Sequence, residues 1–370
     1  MSQLKTLTKL ESYLLGLLAS SANNNPFDKF RDNELTDEEW DDLIKIASWQ
    51  GIAAIICSQI EKLPHSQLPP RTQTLNLIGL KISQQKRYNK QKDIASAFAN
   101  ALRSEGVKMY ILKGFAYSSY YEDPSLRTCG DCDCFLVDFH NNLAFEKGNT
   151  IAQLFKANID YEHYKHSHIQ IHGLMIENHE FLTDFKSTRH GRITERLLRD
   201  ILIKEEGAKL FDTDMIKPND YFNLLFLVRH AHGDFIDGGL TLRMLYDLTV
   251  MLKKVECKIN WSDFFQDLSI CKLTDFFNLI VGICVKYFGL SLSIVPDTYK
   301  ETALIDEVLY DTIRGGLHIK GKETLPQKTL RILKRFKRMW HYRNLATEKY
   351  PVMIWNSFAF SSYMHRKVSI

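Results

Sequence analysis

Residues 107–137 read VKMYILKGFAYSSYYEDPSLRTCGDCDCFLV, and the fold is decided within them. The apolar run 108–112 reads as a short buried strand that ends at Lys113-Gly114. A short helix is expected over 116–121, then a polar loop over 122–128, then a second strand over 131–137. Alternate side chains of an extended strand share a face. Asp131 and Asp133 therefore point one way, while Cys132 and Cys134 point into the other face.

Two carboxylates held that close repel each other unless a cation lies between them. Mg²⁺ takes oxygen ligands from one or two carboxylates together with substrate phosphates. A same-face aspartate pair at a strand start is thus a place to hold nucleotide-bound magnesium. Gly114 lets backbone approach a phosphate, and the helix that begins there offers N–H groups. Lys113 can add a point charge to a triphosphate, and Arg127 can clamp a phosphate in bidentate fashion. An isolated Asp-x-Asp occurs often by chance. Here strand, Lys-Gly, helix, arginine and Gly-Asp-x-Asp each answer a separate need of phosphoryl chemistry.

Outward from this stretch the chain turns helical on both sides. Thr36-Asp37-Glu38-Glu39 has the spacing of a capping box, and Trp40, Leu43, Ile44, Ile46 and Ala47 follow at helical intervals. Pro69-Pro70 interrupts the helices before a long helical pattern over 72–104. Beyond the second strand, 142–156 can form a helix. The runs 166–172 and 174–182 read as strands joined at Gly173. From about residue 193 the pattern is helical again, clearest over 219–229, 240–253 and 261–287, with Gly233 expected to end a helix. This predicts an α+β protein with a small mixed sheet. Its helical N-terminal region is 1–100, its α/β core 101–190 and its helical C-terminal domain 191–370.

The bulk numbers set few limits. The chain has 370 residues, 45% hydrophobic and 25% charged, which suits a globular protein and argues against disorder. A net charge of +4 is too small to imply a nucleic-acid partner. No basic segment and apolar core of a secretory signal open the sequence. The stretch 276–295 is the most membrane-like, but Asn278 and Lys286 interrupt it, and a buried helix explains it better. Seven cysteines at irregular spacing suit reduced thiols in a cytoplasmic compartment. Cys129 and Cys132 have the spacing of a zinc pair, but no second pair follows. Histidines 163, 166, 168, 172 and 179 crowd the two later strands. His166, His168 and His172 fall on one face, read as the polar face of a hairpin with one residue near a nucleotide.

The pattern Leu112-Lys113-Gly114, Tyr121-x-Asp123-Pro124-x-x-Arg127-x-x-Gly130-Asp131-x-Asp133 resembles the uncharacterised nucleotidyltransferase family of the polymerase-β-like superfamily. The resemblance extends to Asp41-Asp42-Leu43-Ile44 and Ala47, to Ile176-Glu177-x-His179, to His230-Ala231-His232, and to Leu242-Arg243-x-Leu245-x-Asp247-Leu248. It spans roughly residues 36 to 255. Cysteines stand at 132 and 134 where isoleucine and leucine are usual, and Lys-Gly stands where most of the superfamily has Gly-Ser or Gly-Gly. The resemblance implies a helix-flanked mixed sheet with three carboxylates. Glu177 is the best match for the third, since 175, 177, 179 and 181 share a strand face, with Glu180 and Asp184 as rivals. It also raises His179, His230, Arg243 and Asp247 as cleft residues, although Arg243 and Asp247 have the spacing of an ordinary helix salt bridge.

The reaction so implied moves a nucleoside monophosphate from an NTP, ATP first, to an unidentified acceptor and releases pyrophosphate. Asp131, Asp133 and Glu177 would hold Mg²⁺ (or Mn²⁺), and Glu177 would activate the acceptor. Lys113, Gly114, Arg127 and Gly130 would position the triphosphate. The acceptor could be a small molecule, a sugar, a peptide or an RNA. The alternative is a non-catalytic nucleotide-binding module that keeps the fold. A third reading is an Asp-x-Asp glycosyltransferase using a nucleotide sugar and Mn²⁺. Residues 328–343 read as a basic amphipathic helix, which either docks on the body or touches an anionic surface weakly.

Overall fold

Thr36 and Glu39 exchange the two hydrogen bonds of a capping box, Glu39 N–H to Thr36 Oγ1 at 3.2 Å and Thr36 N–H to Glu39 Oε2 at 2.9 Å. They start helix α2 (Asp37–Trp49), which buries Trp40, Leu43, Ile44 and Ala47 as its spacing requires. The computed structural model describes residues 6–27, 35–161, 163–183, 189–291, 301–314 and 325–355. Before α2 lies α1 (Lys9–Asn23), and after it come α3 (Ala53–Ile60) and the 34-residue α4 (Arg71–Ser104). Glu11, on the inner face of α1, is buried against Arg314.

The sheet has seven strands, namely β1 (Val107–Ile111), β2 (Cys132–Asp138), β3 (Asn158–Asp160), β4 (His166–Ile171), β5 (Leu174–His179), β6 (Ala208–Lys209) and β7 (Met215–Lys217). Their spatial order is β3-β4-β5-β2-β1-β7-β6. The pairs β2–β5 and β1–β7 are parallel and the other neighbours antiparallel, so the sheet is mixed as expected. The stretch after residue 193 is not wholly helical, because β6 and β7 return to extend the sheet beside β1. These strands are two and three residues long, too short to leave a period-2 pattern. Between β1 and β2 runs α5 (Phe115–Ser118), and between β2 and β3 runs α6 (Phe145–Ala152).

Helices α4 and α6 touch each other and cover one face of the sheet. Gly148 makes the close approach possible, since a Cβ there would lie 2.1 Å from Leu136 Cδ1. Cys132, Cys134, Leu136 and Asn178 alternate toward this face, where Asn178 Nδ2 donates to Phe145 O at 2.9 Å. Their neighbours Asp133, Glu177 and His179 therefore emerge on the other face. That face meets α7 (Arg189–Lys204), whose Arg199 lies over the rings of Phe135 and Phe181. It also meets α8 (Asp220–Asp237) and α9 (Leu242–Val255).

Two helix boundaries differ from expectation. Gly233 does not end a helix: α8 runs on to Asp237 and stops at Gly238, whose N–H caps Asp234 O at 2.8 Å. The pattern over 261–287 is two helices, α10 (Trp261–Ile270) and α11 (Thr274–Phe288), broken where Lys272 takes a left-handed conformation at φ 55°. The most membrane-like stretch begins inside α11, and among the described residues no helix is long and apolar enough to cross a membrane. Helices α12 (Ala303–Arg314) and α13 (Leu325–His341) follow. The basic helix docks through its C-terminal half, where Met339 is buried and Arg338 reaches Phe235 O and Asp311. Leu330, Leu333 and Trp340 stay exposed. Buried apolar side chains from Tyr13 to Tyr342 form one connected core.

Candidate active site

Strand register assembles the acids. On the parallel pair, Asp133 of β2 stands opposite Glu177 of β5. On the antiparallel pair, Glu177 stands opposite His168 of β4, and His179 opposite His166. The row continues to Asp160 on β3, which is paired with His168. Asp133, Glu177, His168 and Asp160 thus lie in line across four strands on one face.

Leu112 N–H donates to Asp133 O at 3.0 Å, so Lys113 leaves the sheet directly beside Asp133. Its Nζ lies 2.7 Å from Asp133 Oδ1. Gly114 follows at φ 55°, ψ −107°, a conformation only glycine adopts without strain, and it turns the chain into α5. That helix is a single turn of four residues, too short for much macrodipole, and the N–H of Ala116 is already bonded to Lys113 O.

His179 is fully buried, and its Nδ1 lies 3.0 Å from Phe181 O, an acceptor only. Nδ1 donates there, and Nε2 faces Asp133 Oδ1 at 3.2 Å and Glu177 Oε2 at 3.4 Å. The three atoms gather negative charge that a cation between them would offset. They fit a divalent ion, since one nitrogen and two carboxylate oxygens all lie within 4.8 Å of each other. Asp131 lines the same cleft as Asp133 but stands outside that tight group.

The two aspartates differ electrostatically. Burial, and then the Asp133 charge, push the Asp131 carboxyl up to about 6. Burial would also raise Asp133, but Lys113 and His179 outweigh it and hold the carboxyl well below the usual range. Burial and the Lys113 and Lys165 charges keep His230 well below the ordinary histidine value.

The cleft over these acids has a volume of about 160 Å³ and is bordered by Lys113, Gly114, Gly130, Asp131, His230 and Arg243 among others. A second hollow of about 80 Å³ adjoins it across Lys113 and His230, with Lys165 and Arg229 in its wall. A larger cavity of about 220 Å³ lies elsewhere, behind Tyr121, and holds none of these acids.

The Arg127 guanidinium is engaged by a carboxylate at the cleft wall. Its Nε and Nη2 donate to Asp247 Oδ1 and Oδ2, both at 2.8 Å, and both residues are almost wholly buried. Tyr121 Oη also donates to Asp247, at 2.6 Å. Burial makes a lone aspartate too costly, so the guanidinium fork is held inward. Asp247 in turn is not paired with Arg243 along the helix. Arg243 Nη1 donates to Thr128 O at 3.1 Å, and its buried Nε has no hydrogen-bond partner among the described residues.

Some supporting residues carried no recognisable signal in the sequence. Gln84, Gln85 and Gln91 of α4 hold the loop before β2: Gln84 donates to Leu126 O at 2.7 Å, Gln85 to Asp123, and Gln91 to Gly130 O at 3.0 Å. Their placement on one face of α4, with Tyr88 bonded to Ser118, was the available hint. His166 and His168 join Glu177, whereas His172 sits exposed in the hairpin turn at φ 48°. Glu180 follows the end of β5, and Asp184 lies outside the described residues.

A search of curated proteins finds no match to the chain, and a search of solved structures finds none either. The family model described as an uncharacterised nucleotidyltransferase matches residues 36–289, so the span includes every acid and base of the cleft. The chain belongs to this uncharacterised nucleotidyltransferase family.

Proposed function

We propose that the protein catalyses divalent-metal-dependent transfer of a nucleoside monophosphate from an NTP, with ATP the first candidate, to an acceptor nucleophile. The observation that carries this reading is the meeting of Asp133, which lines the cleft edged by Lys113 and Arg243, with Glu177 and His179. Asp133, Glu177 and His179 would hold the ion, with Asp131 at the cleft beside them. A bound Mg²⁺ or Mn²⁺ would supply positive charge for the triphosphate and the developing charge of in-line displacement.

The acceptor oxygen attacks the α-phosphorus, and the bond from that phosphorus to the β-bridging oxygen breaks. Pyrophosphate leaves with the electron pair. The acceptor's proton would pass to Glu177. Lys113 and Arg243 would offset charge on the leaving group, while two nitrogens of Arg127 are taken up by Asp247. Arg127 instead fixes the loop that delivers Asp131.

The test is incubation of the protein with each α-labelled NTP, Mg²⁺ or Mn²⁺, and small-molecule, sugar, peptide and RNA acceptors. Label should move to one acceptor class, and Asp131→Asn with Asp133→Asn should abolish it. Transfer unchanged in that double variant refutes the assignment. Metal-dependent NTP binding with no turnover on any acceptor favours a non-catalytic binding module instead.

A further inference from the structure

One side of Glu177 faces the nucleotidyl-transfer centre, while the other faces a pair of histidines that the reaction does not use. His166 and His168 alternate on β4 and so share a face. His168 is the cross-strand partner of Glu177. His168 Nε2 lies 3.5 Å from Glu177 Oε1 and 3.1 Å from His166 Nε2. Two ligands bound at Zn–N or Zn–O lengths around a tetrahedral ion stand about 3.4 Å apart. The observed separations match.

Two further observations point to a ligand. His166 is buried, and its Nδ1 faces Glu177 Oε2 at 3.6 Å, too far for a hydrogen bond, and has no hydrogen-bond partner among the described residues. The Nδ1 of His168 faces the Asp160 carboxylate at 4.0 Å. A metal-bound imidazole commonly directs its second nitrogen to such a carboxylate, which fixes the other nitrogen as the ligand.

We propose that His166, His168 and Glu177 form a site for a divalent transition-metal ion, Zn²⁺ in chemistry, distinct from the Mg²⁺ site and bridged to it by Glu177. Two imidazoles with one carboxylate suit borderline ions such as Zn²⁺ better than Mg²⁺, which prefers oxygen ligands and keeps its water. The ion would hold Oε1 of Glu177 and leave Oε2 between His179 at 3.4 Å and His166 Nδ1 at 3.6 Å. Apart from sharing Glu177, the site does not depend on the nucleotidyl-transfer reading.

The test uses the full chain, freed of metal by chelation and titrated with Co²⁺ in millimolar Mg²⁺ while visible d–d absorption is read. One equivalent of Co²⁺ should give saturable bands that Zn²⁺ displaces. His166→Gln with His168→Gln should abolish the bands. If that double variant fails to fold, His168→Gln, at a side chain still 31% exposed, should weaken Co²⁺ binding at least about tenfold. Asp131→Asn with Asp133→Asn should keep the bands while losing transfer, which separates this site from the reaction centre. Absence of saturable bands in the unaltered chain, or bands indifferent to the histidine substitutions, overturns the proposal.

Discussion

Arg127 and Asp247 stand 120 positions apart and are joined by two parallel hydrogen bonds of 2.8 Å. The loop before β2 and the middle of α9 are thereby locked together behind the cleft. Tyr121 closes the third side through Asp247, and the Arg127 guanidinium lies 5.5 Å over the ring of Tyr117. The pair forms part of the cleft wall.

Removing one partner strands the other charge in the interior. Arg127→Ala or Asp247→Ala should each cost about 3–5 kcal/mol of stability. Arg127→Met with Asp247→Leu should cost much less than the sum of the two single changes. Chemical denaturation of the four proteins checks this.

Arg243 is expected to behave differently. Arg243 lines the cleft, so Arg243→Ala should weaken NTP binding by about tenfold to a hundredfold, the range for a charged hydrogen bond. Its unfolding midpoint should move far less than that of Arg127→Ala. Titration with a fluorescent nucleotide, beside a thermal scan, separates the two arginines.

Gly114 takes φ 55°, ψ −107° where Lys113 leaves the sheet. Gly114→Ala should therefore cost roughly 1–3 kcal/mol through backbone strain, since the methyl itself would meet only ordinary contacts, Asp131 O at 3.5 Å and Cys129 Sγ at 3.9 Å. The strain falls beside Lys113, so transfer activity should drop more than stability does. Activity and denaturation measured on one preparation test this.

Most of the fold was legible because its signals are local. Thr36 and Glu39 mark a helix start by themselves, and Lys113-Gly114 with Asp131-x-Asp133 marks the two strands and the acids between them. Glu177 was legible as a strand-face residue. What the sequence hides is pairing across distance. Nothing local to Arg127 says that Asp247 will hold it, and the i,i+4 spacing of Arg243 and Asp247 suggests the wrong partner. His166 and His168 look like a hairpin's polar face until the register sets them against Glu177. Strands β6 and β7 form because β1 offers them an edge, not because three residues specify a strand.

His232 gives a pH test away from the site. It projects from α8 and is buried, its Nε2 3.0 Å from Leu345 O, with Phe276 edge-on at 5.1 Å. Burial and the nearby Arg229 charge hold its imidazole down to about 3, against an ordinary 6.5. The unfolded chain therefore binds this proton first as pH falls through 6.5, and the folded protein follows only near 3. Between those values His232 should lower stability by about 1.4 kcal/mol for each unit of acidification. His232→Asn should remove one proton's worth of that slope, read from urea unfolding at stepped pH.

The reaction itself is tested most directly by running ATP labelled at the α-phosphate and ATP labelled at the γ-phosphate side by side with the responsive acceptor. Cleavage between the α- and β-phosphates predicts that only the α-label enters the acceptor. The γ-label should appear in pyrophosphate in equal amount, and both should vanish in Asp131→Asn with Asp133→Asn. Label from the γ-phosphate in the acceptor, or full turnover in that double variant, would contradict the account.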